Sequence, residues 1–211
     1  MILYINGDSN STGAEVANVT QSWPKLLAKK LNLRLVNEAK GGGSNPRILR
    51  TVDNFIAHSN HRDIFVIIGW TSWEREEWQL GSDYYDVNAG GHDVLPAELK
   101  EKYKIWVTNQ NQETRQIKSE ITHDHIHKLH RHYKEKGISH LFFNALMPFL
   151  HSGKHHDWHK NFLGPYENDL SYYWYLKKAG YKPTVNNHYT DPAQSVWAEV
   201  LYNYIQEHRL L

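Results

Sequence analysis

The residues best suited to chemistry stand near opposite ends of the 211-residue chain. The tripeptide Gly7-Asp8-Ser9 follows the apolar run of residues 2–5, so a serine hydroxyl stands where a first parallel strand would end. Open α/β sheets bind their ligands at that edge. Near the other end, His188 precedes a helical pattern rich in apolar residues. A serine nucleophile and a histidine base together indicate covalent hydrolytic catalysis.

Alternating strand and helix patterns would position these residues. The strand predictions cover residues 2–6, 33–37, 64–69 and 141–146, and the helix predictions cover residues 22–31, 46–58, 113–136, 167–179 and 192–207. The first, third and fourth strands are almost continuously apolar, which is typical of parallel strands buried on both faces. The pattern therefore predicts an α/β fold whose parallel sheet is covered by helices on both faces.

Two long stretches show neither the pattern of a strand nor the periodicity of a helix. Residues 71–112 carry many aromatic side chains among polar residues and Gly90-Gly91, and residues 148–165 are rich in histidine. Connections of this length are commonly functional. Both stretches follow predicted strands, so we expect them at the same sheet edge as Ser9. The histidine-rich stretch contains His151, His155, His156, Trp158 and His159.

Composition narrows the class of protein. Lys and Arg number 24 against 23 Asp and Glu, and this balance gives no electrostatic reason to expect nucleic acid or an anionic membrane as a partner. Cysteine is absent, so thiol nucleophiles and thiolate metal sites are excluded. We expect one domain over residues 1–211, with residues 71–112 as a long aromatic-rich insertion, and a small molecule or a glycan as the partner. The oligomeric state cannot be inferred from these residues.

The chain begins with an apolar run that leads directly into the Gly-Asp-Ser tripeptide. Cleavage of that run as a signal peptide would remove the proposed nucleophile, so we expect no signal peptide. No apolar run approaches the length of a transmembrane helix. These features predict a cytoplasmic location.

Separated segments resemble the SGNH (GDSL-like) hydrolase family over nearly the whole chain. The family's first block, a strand followed by Gly-Asp-Ser, is matched by residues 7–9, with the serine as nucleophile and its N–H as an oxyanion donor. The second block supplies a glycine N–H, which we place at Gly42, with Gly43 as the alternative register. The last block carries the catalytic histidine, and His188 stands ten residues before Ala198.

This resemblance implies a three-layer α/β/α sandwich with a central parallel sheet of about five strands in flavodoxin-like order. It also implies a serine esterase of the carboxylesterase or O-acetylesterase type that uses no cofactor. Ser9 would attack an ester carbonyl while His188 takes the proton of Ser9. A water molecule would then release the acyl group. The chain also resembles short, cysteine-free members of the family that bacteriophages encode. This resemblance implies association with the virion as the alternative location.

Two positions depart from the family pattern. The third block normally reads Gly-x-Asn-Asp, and Thr71 stands at the position of the asparagine, where a hydroxyl could act as the third oxyanion donor. The family's aspartate lies three residues before the histidine, where this chain has Val185. We consider Asp191 a helix cap, with Gln194 completing a capping box. The groups that could orient His188 instead are a carbonyl near Val185, Asn186, Asn187, Asp157 and Asp191.

Substrate contacts are predicted after the second and third strands. Trp70, Trp73 and Trp78 could form a wall for sugar rings, with core packing as an equal alternative. Arg75 could bind substrate or pair with a neighbouring glutamate, and Asn45 is the fourth predicted substrate contact besides Trp70, Trp73 and Arg75. Trp174, Tyr175 and Leu176 are interpreted as helix core. We expect a short acyl ester on a carbohydrate as substrate.

Two further functions remain open. One is a catalytically weakened SGNH fold that serves as a glycan-binding or structural module, and the other is acyl transfer to an acceptor other than water.

The many histidines also suggest metal ligation. His123, His127 and His130 recur at helical spacing, and residues 155–159 form a second cluster. We interpret both groups as a solvated helix face and a loop, because a histidine-rich tract often has no specific geometry, so no metal site is predicted.

Overall fold

The computed structural model describes residues 1–150 and 155–211, so His151 lies outside the described residues. Strands and helices alternate along most of the chain. The strands are β1 (Ile2–Asn6), β2 (Arg34–Asn37), β3 (Ile64–Trp70), β4 (Glu76–Leu80), β5 (Asp83–Val87), β6 (Ser139–Asn144) and β7 (Phe162–Leu163). The helices are α1 (Ser9–Thr12), α2 (Trp23–Leu31), α3 (Asn45–Ala57), α4 (Ala97–Thr108), α5 (Gln112–Lys136), α6 (Tyr172–Lys178) and α7 (Asp191–His208).

A five-stranded parallel sheet in the order β2-β1-β3-β6-β7 forms the centre of the fold. Ile2 of β1 pairs with Arg34 on one side and with Ile64 on the other. The chain thus leaves β1 toward one edge of the sheet and later returns to build the other. Ligand crevices form at such a reversal, beyond the carboxyl ends of the strands. The predicted α/β fold, its parallel sheet and its strand order are confirmed.

Each face of the sheet buries its own apolar core, because alternate side chains of β1 point to opposite faces. Leu3 and Ile5 pack into the core beneath α2, α6 and α7, which also buries Trp197. Tyr4 packs into the core beneath α3 and α5, which also buries Tyr133. Helices therefore cover both faces of the sheet.

Several elements after residue 138 differ from the predictions. β6 begins at Ser139 and ends at Asn144, and β7 lies inside the stretch predicted to be irregular. The predicted helix of residues 167–179 is shorter, because Asn168–Leu170 form a separate 3₁₀ turn before α6 begins at Tyr172.

The predicted cap of α7 is wrong. Thr190 occupies the N-cap position, and Asp191 is the first helical residue. The Asp191 carboxylate instead accepts the N–H of Ala17 at 3.0 Å. The Gln194 side-chain oxygen accepts the N–H of Trp23 at 3.0 Å. Both side chains tie α7 to the segment around the start of α2.

Residues 71–112 fold into secondary structure of their own. β4 and β5 form an antiparallel hairpin, α4 follows, and the rings of Trp78 and Trp106 pack together in a small apolar cluster. The Glu76 carboxylate accepts both indole N–H groups, at 2.6 and 2.8 Å. Arg50 of α3 holds Glu77 through two hydrogen bonds of 2.9 and 2.6 Å. The hairpin is thereby fixed against α3.

Among the described residues, no helix combines the length and the apolar character needed to cross a bilayer.

Candidate active site

A cleft of about 350 Å³ contains both Ser9 and His188. Ser9 follows β1, and His188 lies in the connection between α6 and α7, so the topology brings the two ends of the chain to one place. The other lining residues are Asn10, Ser72, Arg75, Leu146, Met147, Tyr173, Trp174, Asn186 and Asn187.

The turn at Ser9 explains each residue of the tripeptide. A Cβ on Gly7 would lie 2.5 Å from Ser11 Oγ and 2.9 Å from the Gly69 carbonyl oxygen, so only glycine fits between β1 and β3 there. Asp8 is fully buried and caps α1 by accepting the N–H of Asn10 at 2.9 Å. Ser9 is then the first residue of α1 and lines the cleft.

The carboxylate nearest to the His188 ring belongs to Glu15, in the segment between α1 and α2. Glu15 Oε2 lies 3.1 Å from His188 Nδ1. The contact is close, but the N–H bond of the ring does not point along the line to the oxygen. Catalytic hydrogen bonds are often poorly aligned without substrate and tighten when it binds. The Glu15 carboxylate thus lies beside one ring nitrogen of His188.

Several contacts fix Glu15 in this position. Its carboxylate accepts hydrogen bonds from the Thr184 hydroxyl and the Asn186 amide, and these bonds lower the pKa of Glu15 below its usual value. The residue adopts φ +62°, a left-handed conformation that costs a non-glycine residue free energy. Thr184 also pairs with His188, because the Thr184 N–H donates to the His188 carbonyl at 2.7 Å. One turn thus holds the histidine and its carboxylate together.

The groups predicted to orient His188 make other contacts. Val185 is 97% exposed, and Asn186 donates to Glu15. Asn187 accepts the Tyr173 hydroxyl at 3.5 Å. Asp157 accepts the N–H of His159 at 2.9 Å, and Asp191 accepts that of Ala17. The sequence prediction missed Glu15, which no local motif marks.

The two glycines considered as oxyanion donors differ in their backbone contacts, and neither is among the residues that line the cleft. The Gly43 N–H already donates to the Lys40 carbonyl at 2.9 Å, whereas Gly42 adopts φ +71°. Within the described part of the chain, neither the Ser9 N–H nor the Gly42 N–H has a hydrogen-bond partner. Both groups therefore have a proton left to donate.

The β4–β5 hairpin holds this glycine loop in place. Asp86 of β5 accepts the N–H and the hydroxyl of Ser44, both at 2.9 Å. Its other carboxylate oxygen lies 2.9 Å from the Lys40 ammonium group. The inserted hairpin therefore sets the conformation of residues on both sides of Gly42.

The expectation that the Thr71 hydroxyl donates to the oxyanion disagrees with the structure. Thr71 Oγ1 donates to Asp8 Oδ2 at 2.8 Å, and both residues are buried. A hydroxyl carries one proton, which a buried carboxylate binds strongly. Asn45 is also buried and exchanges two hydrogen bonds of 3.0 Å with the Thr71 backbone. Asn45 thus connects the start of α3 to the residue that follows β3, and it does not line the cleft.

Arg75 lines the cleft, as predicted for a substrate contact, and does not pair with the neighbouring glutamates. Glu76 contacts Lys118 and Glu77 contacts Arg50. One guanidinium nitrogen of Arg75 lies 3.2 Å from the Gly43 carbonyl oxygen and 3.5 Å from Asp8 Oδ2. These contacts hold the guanidinium beside the turn that carries Ser9.

The aromatic residues of the cleft are not those predicted. Trp70 is 1% exposed and packs edge-on against Phe142 at 5.3 Å between ring centroids, so it belongs to the core. Trp73 is also buried and does not line the cleft. Tyr173 and Trp174 of α6 line it instead. The interpretation of Trp174 as helix core is therefore wrong.

The comparisons with known proteins agree with this fold. Residues 4–149 match a family described as a family of unknown function (DUF6071). The chain belongs to this family. No curated protein matches the DUF6071 chain.

Three solved structures illustrate the likeness. TesA is 16% identical, and the alignment covers 100% of both chains with a TM-score of 0.55. The psychrotrophic esterase EstA from Pseudoalteromonas sp. is 13% identical, with 98% of this chain and 97% of that chain covered and a TM-score of 0.49. The acetyl xylan esterase Est2A from Butyrivibrio proteoclasticus is 14% identical, with 98% and 63% covered and a TM-score of 0.45. The DUF6071 chain has the α/β/α fold of SGNH hydrolases.

Proposed function

We propose that the protein is a serine esterase that hydrolyses a short acyl ester. Ser9 is the nucleophile, His188 the base and Glu15 the carboxylate that orients His188. The observation that carries the proposal is the His188 ring, which lies 3.1 Å from Glu15 and lines one cleft with Ser9. Nucleophile, base and orienting group are the three parts of a serine hydrolase site.

Glu15 beside Nδ1 favours the tautomer whose proton is on Nδ1, which leaves Nε2 free to accept the Ser9 proton. Ser9 Oγ then bonds to the ester carbonyl carbon, and the carbonyl oxygen becomes an oxyanion. Collapse of this intermediate breaks the bond to the alcohol, which leaves with the proton from His188. Water, deprotonated by His188, attacks the acyl group and releases the acid and Ser9.

The N–H groups of Ser9 and Gly42 stabilise the oxyanion. Arg75 adds a positive charge beside the same turn. Its guanidinium carries five N–H donors, so contacts with Asp8 and Gly43 leave others for substrate. We assign to Arg75 the electrostatic role that the family's asparagine would have and that the Thr71 hydroxyl does not take.

A carbohydrate is the proposed bearer of the ester. Tyr173 and Trp174 supply aromatic surface on which sugar rings stack, and Asn186 and Asn187 supply polar groups beside them. The apolar side chains of Leu146 and Met147 suit a small acyl group. Phage origin and the cytoplasmic or virion-associated location stay predictions.

The proposal is tested by release of p-nitrophenol from acetyl and butyryl esters. We expect Ser9→Ala and His188→Ala to abolish the activity of the parent chain. Loss of the carboxylate in a buried serine-hydrolase triad costs about 10⁴-fold in kcat. Because the Glu15 side chain is 31% exposed and solvent screens its charge, we expect Glu15→Gln to cost about 10- to 1,000-fold.

Asp191→Asn is the matched control, because that carboxylate is close to His188 in sequence but contacts Ala17. We expect its kcat to stay within about threefold of the parent. Equal activity in all variants would refute the serine mechanism. An inactive parent that binds acetylated oligosaccharides, and loses this binding in Trp174→Ala, would indicate a glycan-binding module instead.

A further inference from the structure

A second cluster of chemically capable side chains lies between α5 and the segment that leads to β7. His123, Asp124 and His127 come from α5, and His156 comes from that segment. We call these four residues the histidine cluster. His123 is 3% exposed, so the expected solvated helix face is wrong at this position.

Three members of the cluster direct ligand atoms to one point. One ring nitrogen of His123, one carboxylate oxygen of Asp124 and one ring nitrogen of His156 lie within 4.8 Å of one another. His156 Nε2 lies 2.8 Å from Asp124 Oδ1. Two helix residues and one residue from a separate segment thus converge on one point.

Two imidazole rings of the histidine cluster stack face to face. The rings of His127 and His156 lie parallel, with centroids 3.9 Å apart and planes 4° apart. Two imidazolium rings at that separation would repel each other. Neutral imidazole is the form that ligates metal ions.

A single hydroxyl holds two of the converging residues. The Tyr166 hydroxyl accepts the backbone N–H of His156 at 2.8 Å and contacts His123 Nε2 at 2.9 Å. It also accepts the indole N–H of Trp158 at 3.0 Å. The oxygen thus accepts two N–H groups, which leaves its own proton for the contact with His123 Nε2. These contacts fix His123 and His156 relative to each other.

We propose that His123, Asp124 and His156 form a binding site for one divalent transition-metal ion, with Zn²⁺ as the best match. Two imidazoles and one carboxylate suit Zn²⁺, whereas Mg²⁺ and Ca²⁺ prefer oxygen ligands alone. Bonds of about 2.1 Å in tetrahedral geometry place ligand atoms about 3.4 Å apart. The pair of Asp124 and His156 therefore opens by about half an ångström, and the metal replaces the proton between them.

The site lies outside the proposed catalytic cleft and shares no residue with it. Its occupation would tie the segment of His156 to α5. We therefore expect metal binding to raise the melting temperature, whatever its effect on esterase activity.

Calorimetric titration of the untagged full chain with ZnCl₂ at pH 7.5 tests the proposal. We expect one high-affinity ion per chain, and at least tenfold weaker binding in both Asp124→Asn and His156→Gln. His125→Gln is the matched control, because His125 is exposed on the same helix. It should bind Zn²⁺ as the parent does. Circular dichroism and the melting temperature without metal show that each variant is folded.

Binding of Co²⁺ gives a second readout, since histidine ligation changes its visible absorption. The parent and His125→Gln should develop the same spectrum, and the two ligand variants should lose it. Binding only at millimolar Zn²⁺, or equal weakening in His125→Gln, would overturn the proposal. So would unchanged affinity in the two folded ligand variants, because the ion would then be held by other histidines.

Discussion

The Thr71 hydroxyl gives the sharpest test of how this site differs from its sequence pattern. The hydroxyl donates its one proton to Asp8 Oδ2, with the two oxygens 2.8 Å apart in a buried position. Thr71→Val removes the hydroxyl and keeps the shape of the side chain. Asp8 Oδ1 still accepts the backbone N–H and the side-chain amide of Asn10, at 2.9 and 3.1 Å. The turn that presents Ser9 is therefore expected to survive the substitution.

The cost should appear in stability. A hydrogen bond to a charged group contributes about 1.5–3 kcal/mol to the free energy of unfolding. For a chain of this length, each kcal/mol shifts the melting temperature by about 2–4 °C, so we expect a decrease of about 3–12 °C. Loss of an oxyanion donor would instead lower kcat by about 100- to 1,000-fold. We expect kcat to fall by less than about tenfold, because the hydroxyl does not face the cleft.

Urea denaturation and ester hydrolysis on the same preparations separate the two roles. Thr71→Ser is the matched control, since it restores the hydroxyl and should recover most of the lost stability. A Thr71→Val protein with unchanged unfolding free energy and a 100-fold lower kcat would refute our assignment. The hydroxyl would then serve the oxyanion, as the sequence alone suggested.

Two further predictions concern the fold. Gly164 adopts φ +54°, and a Cβ there would lie 2.3 Å from Leu170 Cβ, whereas Gly180 adopts φ +89° with open space around it. Urea denaturation should show Gly164→Ala to be about 1–3 kcal/mol less stable than Gly180→Ala, and equal losses would contradict the clash. Burial lowers the pKa of His130 to about 4 and that of His140 to about 3, from 6.5. Below pH 6.5 the unfolded chain therefore binds more protons than the folded chain. As the pH is lowered from 6.5 to 4, the unfolding free energy should fall by up to about 1.4 kcal/mol per pH unit for each ring. An unfolding free energy that stays constant over that range would argue against this cause. So would an unchanged pH dependence in a folded variant that carries both His130→Phe and His140→Phe.

Local sequence patterns predicted the fold well, because β1 and β3 are short apolar runs bounded by polar turns and are buried as expected. Ser9 and His188 could be proposed for a similar reason, since each stands beside a recognisable element. The two-residue strand β7 was missed because two residues carry no periodicity. The prediction of Trp70 as a substrate contact was wrong, although Trp70 continues β3, in which every residue is buried.

Glu15 could not have been found in this way. Its position depends on the contact between the segment after α1 and the turn before α7, which lie far apart in sequence. Nothing around Glu15 in the sequence distinguishes it from a solvated loop residue. Its φ of +62° and its hydrogen bonds with Thr184 and Asn186, visible in the structure, mark it as constrained.

The different surroundings of Asp8 and Glu15 explain how their roles are divided. Asp8 is next to the nucleophile in sequence, but Asn10, Thr71 and Arg75 occupy its oxygens, so it serves as an anchor for the turn. Glu15 lies beside His188, with Oε2 3.1 Å from Nδ1 of the ring. In the proposed mechanism, the carboxylate that orients the base is thus set by tertiary contact and need not be the one three residues before the histidine. A search of related chains by that spacing alone would misclassify this site as incomplete.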